Sequence, residues 1–505
     1  MTTYLIRRLL LIVPTLFGIT FLVFMIIAMS PGGIGAAMKA SGGQMNATSA
    51  AMKEARLEDR YGLDAPPVVQ YVRWLAQISP IKFGPRAQID EAGDTVLRPR
   101  EQKPPILWEW FTDDLAVDDI AVEPFAWPDG ATDEHKRKAW RQASQEYARV
   151  RVRAIGLRKT QQILLVEYAQ SIELRGAYDV NEKIRESVLR SHKPATSHPM
   201  WAAIQQTGQE AIDAYRIAYK ERLQLLAMLD AKPYKESGVP IVPGILWLGS
   251  PDLGKSFSRT RPVSELILQA LPVTLTLNLI AFTIIYAVAI PSGMLAAAKR
   301  GSAVDSIMGA AYIALWSFPI PLAGVLAIGF LASRQGLGMF PVSGLHDVMA
   351  DNMPYLPTLE SRGYLFDTIW HMVLPVLCIV YGGFAVLSKQ VRASMLDNYN
   401  ADYVRTAKAK GVRGIDILLQ HVFRNSLLPV ITIFVSIFPA TFSGSVVIEK
   451  IFNINGMGKL VLDSIYQRDR ELLLATTLIV AAVNLLALLL ADILYALADP
   501  RITYD

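Results

Sequence analysis

Tyr403-Val404-Arg405-Thr406-Ala407-Lys408-Ala409-Lys410-Gly411 is a short basic stretch lying between two long apolar segments, with Leu428-Pro429 following it. Its residues favour a helix, and its glycine permits a sharp change of direction afterwards. Small side chains at Ala407 and Ala409 allow close approach beside the polar groups of Arg405 and Lys408. Such a segment is better suited to gripping another protein than to handling a substrate. The flanking apolar runs decide where it lies.

Spanning a bilayer takes about 20 mostly apolar residues. Six segments qualify, at about Leu9–Met29, Pro272–Ala297, Ile307–Ala332, Ile369–Leu387, Leu427–Val447 and Leu472–Ala498. Pro319, Pro321, Pro375 and Pro439 fall within them and are expected as kinks, because neighbouring helices can satisfy the freed carbonyls. Arg7 and Arg8 precede the first run, which is longer than a signal-peptide core and lacks a clear small-residue cleavage site. It is therefore expected to stay as an anchor. The chain is 52% hydrophobic yet 19% charged, with mean hydropathy +0.29. That average conceals apolar ends and a polar middle. Cys378 is the single cysteine, so no intrachain disulfide forms.

Orientation follows from lysine and arginine near the membrane. Lys299 and Arg300 follow the second span; Lys389, Arg392, Arg405, Lys408, Lys410, Arg413 and Arg424 follow the fourth. With Arg7 and Arg8 inside, alternation places both connections and both termini in the cytoplasm. Lys450, Lys459, Arg468 and Arg470 run against the trend, but Glu449, Asp463, Asp469 and Glu471 are interleaved with them.

The reading is an all-α, polytopic membrane protein: an N-terminal span in 1–30, an extracytoplasmic segment 31–271, a five-helix core 272–498 with a cytoplasmic loop at 389–425, and a tail 499–505. Within the outer segment, about Asp133–Lys232 reads as helix. Ile212, Tyr215, Tyr219, Leu223 and Leu226 are spaced to line one face. Asp179 or Asn181 is a candidate cap, and Ser197 before Pro199 a start signal. A small helical outer domain follows, preceded by an irregular part rich in proline and tryptophan. Its basic run His135-Lys136-Arg137-Lys138 reads as a solvated helix face, since nothing on that side offers nucleic acid.

Catalytic patterns are thin. Gly249-Ser250-Pro251-Asp252-Leu253-Gly254-Lys255-Ser256 matches the phosphate-loop pattern G-x4-G-K-S, but no helix begins at Lys255 and Arg261-Pro262 follows closely. It reads as a turn. The six histidines show no zinc spacing, so no catalytic residue, metal or cofactor is expected in this chain. His371 reads as a capping or packing residue. Ion-coupled transporters place ionisable groups at mid-membrane, and Asp492 is the sole candidate. The energy source is expected elsewhere. After Gly411, Ile415, Leu418, Leu419 and Val422 repeat at helical spacing, giving a helix–glycine–helix elbow able to receive a push from a partner.

At these residues the chain resembles permease subunits of binding-protein-dependent ABC importers, in the dipeptide/oligopeptide branch that also includes nickel and some oligosaccharide importers. Asp402–Gly411, His421, Arg424-Asn425 and Leu428-Pro429 look like that family's cytoplasmic signature. Tyr4–Leu10, Ser30-Pro31-Gly32, Arg60–Asp64 and Gln70–Leu75 look like its opening and first outer segment. Asp252–Ser256 with Arg261-Pro262-Val263 is similar to its approach to the second span, which accounts for the false phosphate loop. Ile448–Phe452, Gly456-Met457-Gly458, Arg468-Asp469 and Asp499-Pro500-Arg501 are similar to its tail. Two departures stand out. Arg405-Thr406-Ala407 replaces the Glu-Ala-Ala of the wider importer class, and residues of about 83–242 interrupt the usual outer segment.

The resemblance implies a type I importer permease fold and a multi-pass protein of the inner or plasma membrane. It implies a heterodimer with a second permease, two ATPase subunits carrying ATP and magnesium, and an extracytoplasmic binding protein. Asp402, Tyr403, Arg405, Thr406, Ala407, Lys408 and Gly411 would couple to the ATPases: Tyr403 as anchor, Arg405 and Lys408 as polar rim, Ala407 and Gly411 permitting close packing. The alternative is a membrane receptor or scaffold with an outer helical domain and no transport.

Overall fold

The computed structural model describes residues 2–29, 66–91, 95–96, 98–117, 120, 125–179, 183–256, 258–259, 261–358, 361–426, 430–435, 442 and 444–498. The expectations for Ser30-Pro31-Gly32, Arg60–Asp64, Asn181, Leu428-Pro429, Pro439 and the tail from Asp499 lie outside them. The chain divides into two units, one built from α1 and everything from Leu253 onward, the other lying within Gly35–Asp252.

Helix α1 (Thr2–Met29) carries Pro14 without breaking. In the second unit, α2 (Pro67–Ile78) opens on Pro66-Pro67, whose fixed φ suits a helix start. Tyr71 and Trp74 stack on its buried face with ring centroids 6.0 Å apart. Among the described residues six strands follow in chain order: β1 (Ile81–Phe83), β2 (Gln88–Ile89), β3 (Thr95–Val96), β4 (Lys235–Glu236), β5 (Val239–Val242) and β6 (Leu246–Leu248). They form two antiparallel sheets, ordered β1-β6-β5 and β3-β2-β4. The chain is predominantly helical, as expected, but these short strands formed no part of the expected all-α fold. None exceeds four residues, too short for an alternating pattern to register. Phe83 and Val242, the expected ends of the insertion, both pair with Leu246 in one sheet.

Between β3 and β4 stand α3 (Asp133–Ser171), the single turn α4 (Glu186–Leu189) and α5 (Trp201–Asp230). Thr132 caps α3 by accepting from His135 N, with Asp133 and Glu134 favourable to the helix dipole in the first turn. Ala154 of α3 meets Ala214 and Ala218 of α5, so the two backbones approach closely. Three sequence expectations need correction. Asp179 accepts from Lys183 N at 2.9 Å and closes a turn; it caps no helix. Helix α5 starts after Met200, whose N–H donates to His198 Nδ1 at 3.3 Å, so Ser197 is not its cap. The buried stripe of α5 runs Ile204, Gly208, Ile212, Tyr215, Ala218, Leu225 and Leu229, leaving Leu223 and Leu226 only half-buried. The expected stripe had drifted off the contact line set by α3.

In the first unit, α6 (Val263–Ala298) absorbs Pro272 and Pro291 without a break. The next expected span is not one kinked helix. It is α7 (Ala303–Ser317) and α8 (Ile320–Ala332), bent by 84° at Phe318-Pro319. The Tyr381 hydroxyl donates to the freed Phe318 carbonyl at 3.0 Å, which meets the need a helix break creates. Then come α9 (Tyr364–Tyr399), continuous through Pro375, α10 (Asp402–Ala409) and α11 (Gly414–Phe423). The expected span Leu427–Val447 falls partly outside the described residues; 430–435 are helical. After it stand α12 (Val446–Ile451), α13 (Met457–Tyr466) and α14 (Arg470–Ala498). Among the described residues α1, α6, α9 and α14 are long and apolar enough to cross a membrane, and the bent α7–α8 pair would make a fifth.

Two close approaches set the packing of α6 on α9. A Cβ on Gly293 would lie 2.6 Å from the Ser388 carbonyl oxygen, and one on Gly383 would lie 2.6 Å from Ile285 Cδ1. Small residues bring apolar helices together where no hydrophobic force favours helix over lipid.

Candidate functional site

Helix α10 presents two unlike faces. Val404 is fully buried and Ala407 is 6% exposed. They share an apolar cluster with Ala289 and Ala297 of α6, Leu387, Val391 and Met395 of α9, and Ile417 and Val422 of α11. Burying one valine stabilises by roughly 1.5–3 kcal/mol, enough to seat an eight-residue helix that would not form alone. Asp402, Tyr403, Arg405, Thr406 and Lys408 face outward. Val404 and Ala407 sit three apart, a signal the sequence offers but which the basic residues around it hide.

Each end of α10 is fixed. Gly411 has φ +75°, its N–H bonds Lys408 O at 3.0 Å, and Val412 N bonds Ala407 O at 3.2 Å. This pair of bonds is the Schellman stop, which demands a left-handed residue. At the other end the Tyr403 hydroxyl donates to Asn398 Oδ1 at 2.8 Å, and Asn398 Nδ2 donates to Ser426 Oγ at 3.1 Å. Tyr403 therefore ties α10 to α9 and to the turn after α11, with its ring partly exposed. Lys408 Nζ lies 4.6 Å from the Tyr399 ring centroid, a cation–π contact. Arg405 pairs loosely with Asp402 at 3.4 Å, both strongly exposed. Thr406 Oγ1 bonds back to Asp402 O at 3.0 Å.

The seven expected site residues thus lie on one helix and its stop, but they do different work. Ala407 packs into its own chain, so it is not a surface for a partner. A Cβ on Gly411 would meet nothing within 4 Å; the glycine is needed for its φ alone. The second half of the elbow also differs from expectation. Residues 417–423 wind as a π-helix, and its wider turn moves the buried pair to Ile417 and Val422, five apart, while Ile415 and Leu419 are exposed.

The other candidate chemistries resolve into structure. Lys255 forms an isolated bridge to Pro262, and no helix begins until Val263. The buried Ser256 hydroxyl donates to Asp469 Oδ2 at 2.6 Å, joined by Ser258 N at 3.0 Å and Ser258 Oγ at 2.9 Å. The serine of the false phosphate loop serves a carboxylate. Asp492 is ion-paired with Arg8 and accepts from the Tyr4 hydroxyl at 2.9 Å, so a cation on α1 balances it. His371 Nδ1 lies 3.3 Å from Asp367 Oδ2 in the first turns of α9. Among the described residues no group of three or more histidine, cysteine or acidic side chains is placed to hold a metal.

Residues 289–504 match the family model described as a binding-protein-dependent transport system inner membrane component. The chain is 40% identical over 268 residues to the oligopeptide transport system permease protein AppB of Bacillus subtilis, covering 51% of this chain and 79% of that one. It is 38% identical over 255 residues to the inner membrane ABC transporter permease protein YejB of Escherichia coli O157:H7, covering 50% and 68%. Against the di/tripeptide transport system permease protein DppB of Pseudomonas aeruginosa it is 34% identical over 265 residues, covering 51% and 78%.

Proposed function

Since the chain belongs to the family of binding-protein-dependent transport system inner membrane components, we propose that it forms half of a peptide translocation pathway driven by separate ATPases gripping α10. It is a multi-pass membrane permease of the peptide ABC importer kind, a transport component and not an enzyme. That membership sets aside the receptor without transport. In the proposed complex, a second permease supplies the other half. Two ATPase subunits carry ATP and magnesium, and an extracytoplasmic binding protein delivers di- or oligopeptides. The N- and C-termini, Lys299-Arg300 and α10 face the cytoplasm by the balance of cations.

One observation carries the coupling reading. The apolar side of α10 is consumed within the chain, whereas its other side offers Asp402, Tyr403, Arg405, Thr406 and Lys408 in the open. A helix anchored on one face and polar on the other passes a push from a partner into the core shared by α6, α9 and α11. The test is co-purification of the ATPase subunits with the Arg405→Glu, Lys408→Glu double variant. Loss of association at normal membrane insertion supports the reading; undiminished association and uptake overturn it.

A further inference from the structure

Glu449 is fully buried, and no cation is paired with it among the described residues. Its neighbours' charges are spent elsewhere: Lys450 reaches Asp463 at 3.7 Å, and Lys459 Nζ bonds Asn455 Oδ1 at 2.8 Å. An unpaired buried carboxylate is costly unless hydrogen bonds hold it. Here Oε1 accepts from Thr274 Oγ1 at 3.0 Å, and Oε2 accepts from Lys459 N at 2.8 Å. Thr274 Oγ1 in turn accepts from Met457 N at 2.7 Å. The carboxylate therefore joins three elements: α12, which carries it, the first turn of α13, whose amides are free to be capped, and α6. Gly456 leaves it room, since a Cβ there would lie 2.6 Å from Glu449 Cδ.

Its place along α6 matters. Below it, Leu277 and Ala281 pack on Ile448 and Phe452. Above it, Val263, Leu266 and Ile267 pack on Met457 and Leu460. These apolar contacts resist separation but are non-directional, so they do not fix the register of one element against another. Directed hydrogen bonds do. The far end of α6, at Ala289 and Ala297, lies in the cluster that seats Val404 and Ala407 of α10. One rod of about 54 Å, at 1.5 Å per residue, thus connects the proposed ATPase grip to the α12–α13 segment.

We infer that Glu449 is a positioning residue for transport: it pins α12–α13 to α6, so that displacement begun at α10 reaches the far side as a defined movement. This rests on the reading of α10 as the coupling element. The pin requires acceptor oxygens more than net charge. Glu449→Met keeps the volume but releases Lys459 N and Thr274. Glu449→Gln keeps an acceptor for Lys459 N. Thr274→Val removes the bridging hydroxyl at constant shape.

The test uses the whole complex in lipid: this chain, the second permease, both ATPases and the binding protein. Assembly, basal ATPase, binding-protein-stimulated ATPase and peptide uptake are each measured. For Glu449→Met, assembly and basal ATPase are expected to persist while stimulated ATPase and uptake fall at least about tenfold. Thr274→Val is expected to do the same in kind, the double variant to be no worse than Glu449→Met, and Glu449→Gln to restore most uptake. Unchanged stimulation in both Glu449→Met and Thr274→Val overturns the pin. So does a Thr274→Val effect that appears equally in assembly and basal rate, which marks a merely structural contact. Failure of the coupling reading is distinguishable, because it shows in the Arg405 and Lys408 variants as ATPase association that survives charge reversal.

Discussion

Arg392 grips Asp305 with two hydrogen bonds, Nε to Oδ1 at 2.6 Å and Nη2 to Oδ2 at 2.8 Å. The pair fastens the start of α7 to α9, ten residues before α10 begins. Asp305 is buried and also accepts from Gly301 N at 3.1 Å, so the carboxylate organises the whole turn from α6 into α7. Two parallel bonds to a guanidinium fix direction as well as distance.

Replacing Asp305 with asparagine is expected to free the 299–305 turn while the spans stay inserted. The loss is on the order of 1–3 kcal/mol, reduced by the partial exposure of Arg392. Hydrogen exchange of Gly301 and Asp305 amides in lipid nanodiscs should accelerate. Protection equal to the native chain would show that the pair holds nothing.

Gly411 offers a sharper contrast. Its added Cβ has open space, so the only penalty is the positive φ. Gly411→Val should cost about 1–2 kcal/mol at the stop of α10 and reduce uptake per ATP hydrolysed. Gly411→Asn, which visits the left-handed region readily, should stay close to native. Equal effects of the two would mean that backbone conformation is not what the position supplies.

Ala407 fails in another way. Leucine there has to enter a filled cluster between α6, α9 and α11. Overpacking of this kind costs roughly 1–3 kcal/mol, and α10 should tilt away from its seat. ATPase subunits are expected to bind weakly, while Ala407→Ser should be tolerated. Comparison of the two by co-purification decides the matter.

Gly293 faces backbone, which cannot give way. Gly293→Leu should separate α6 from α9 and cost about 3 kcal/mol or more, visible as a large loss of thermal stability in detergent. Gly309, with nothing near its Cβ, serves as the control and should tolerate leucine.

In the second unit, a hydrogen bond from Arg137 holds the Glu91 carboxyl below its usual range of about 4.5, with the Arg141 charge also lowering it. The ion pairs measure 3.1 Å and 2.5 Å. Because the folded-state value is depressed, this contribution is present above pH 4.5 and is lost as pH falls through the lower folded value. Amide protection in the first turns of α3 should therefore decline with acid in the native chain. A Glu91→Gln chain should show a flatter profile over the same interval.

Much of the architecture was legible in residue order. Apolar runs long enough to span announced α1, α6, α9 and α14, because a bilayer imposes a length that few other environments require. Helix α10 and its glycine stop were visible too, since a positive φ leaves a clear residue signature. Phe318-Pro319 announced a disturbance but not its angle. A proline removes one hydrogen bond; whether the helix kinks or turns through 84° depends on what receives the carbonyl, and Tyr381 lies far along the chain.

Composition and order alone therefore determined a helical membrane protein with a basic elbow, because hydropathy and charge act residue by residue. Tertiary structure alone decided which side of that elbow is spent. Val404 and Ala407 became interior only when α6, α9 and α11 converged on them. It also decided that Ser256 answers Asp469 and Thr274 answers Glu449, partners separated by 213 and 175 residues. Hydrogen bonds and close packing depend on distances in space, and no periodicity in the chain encodes them.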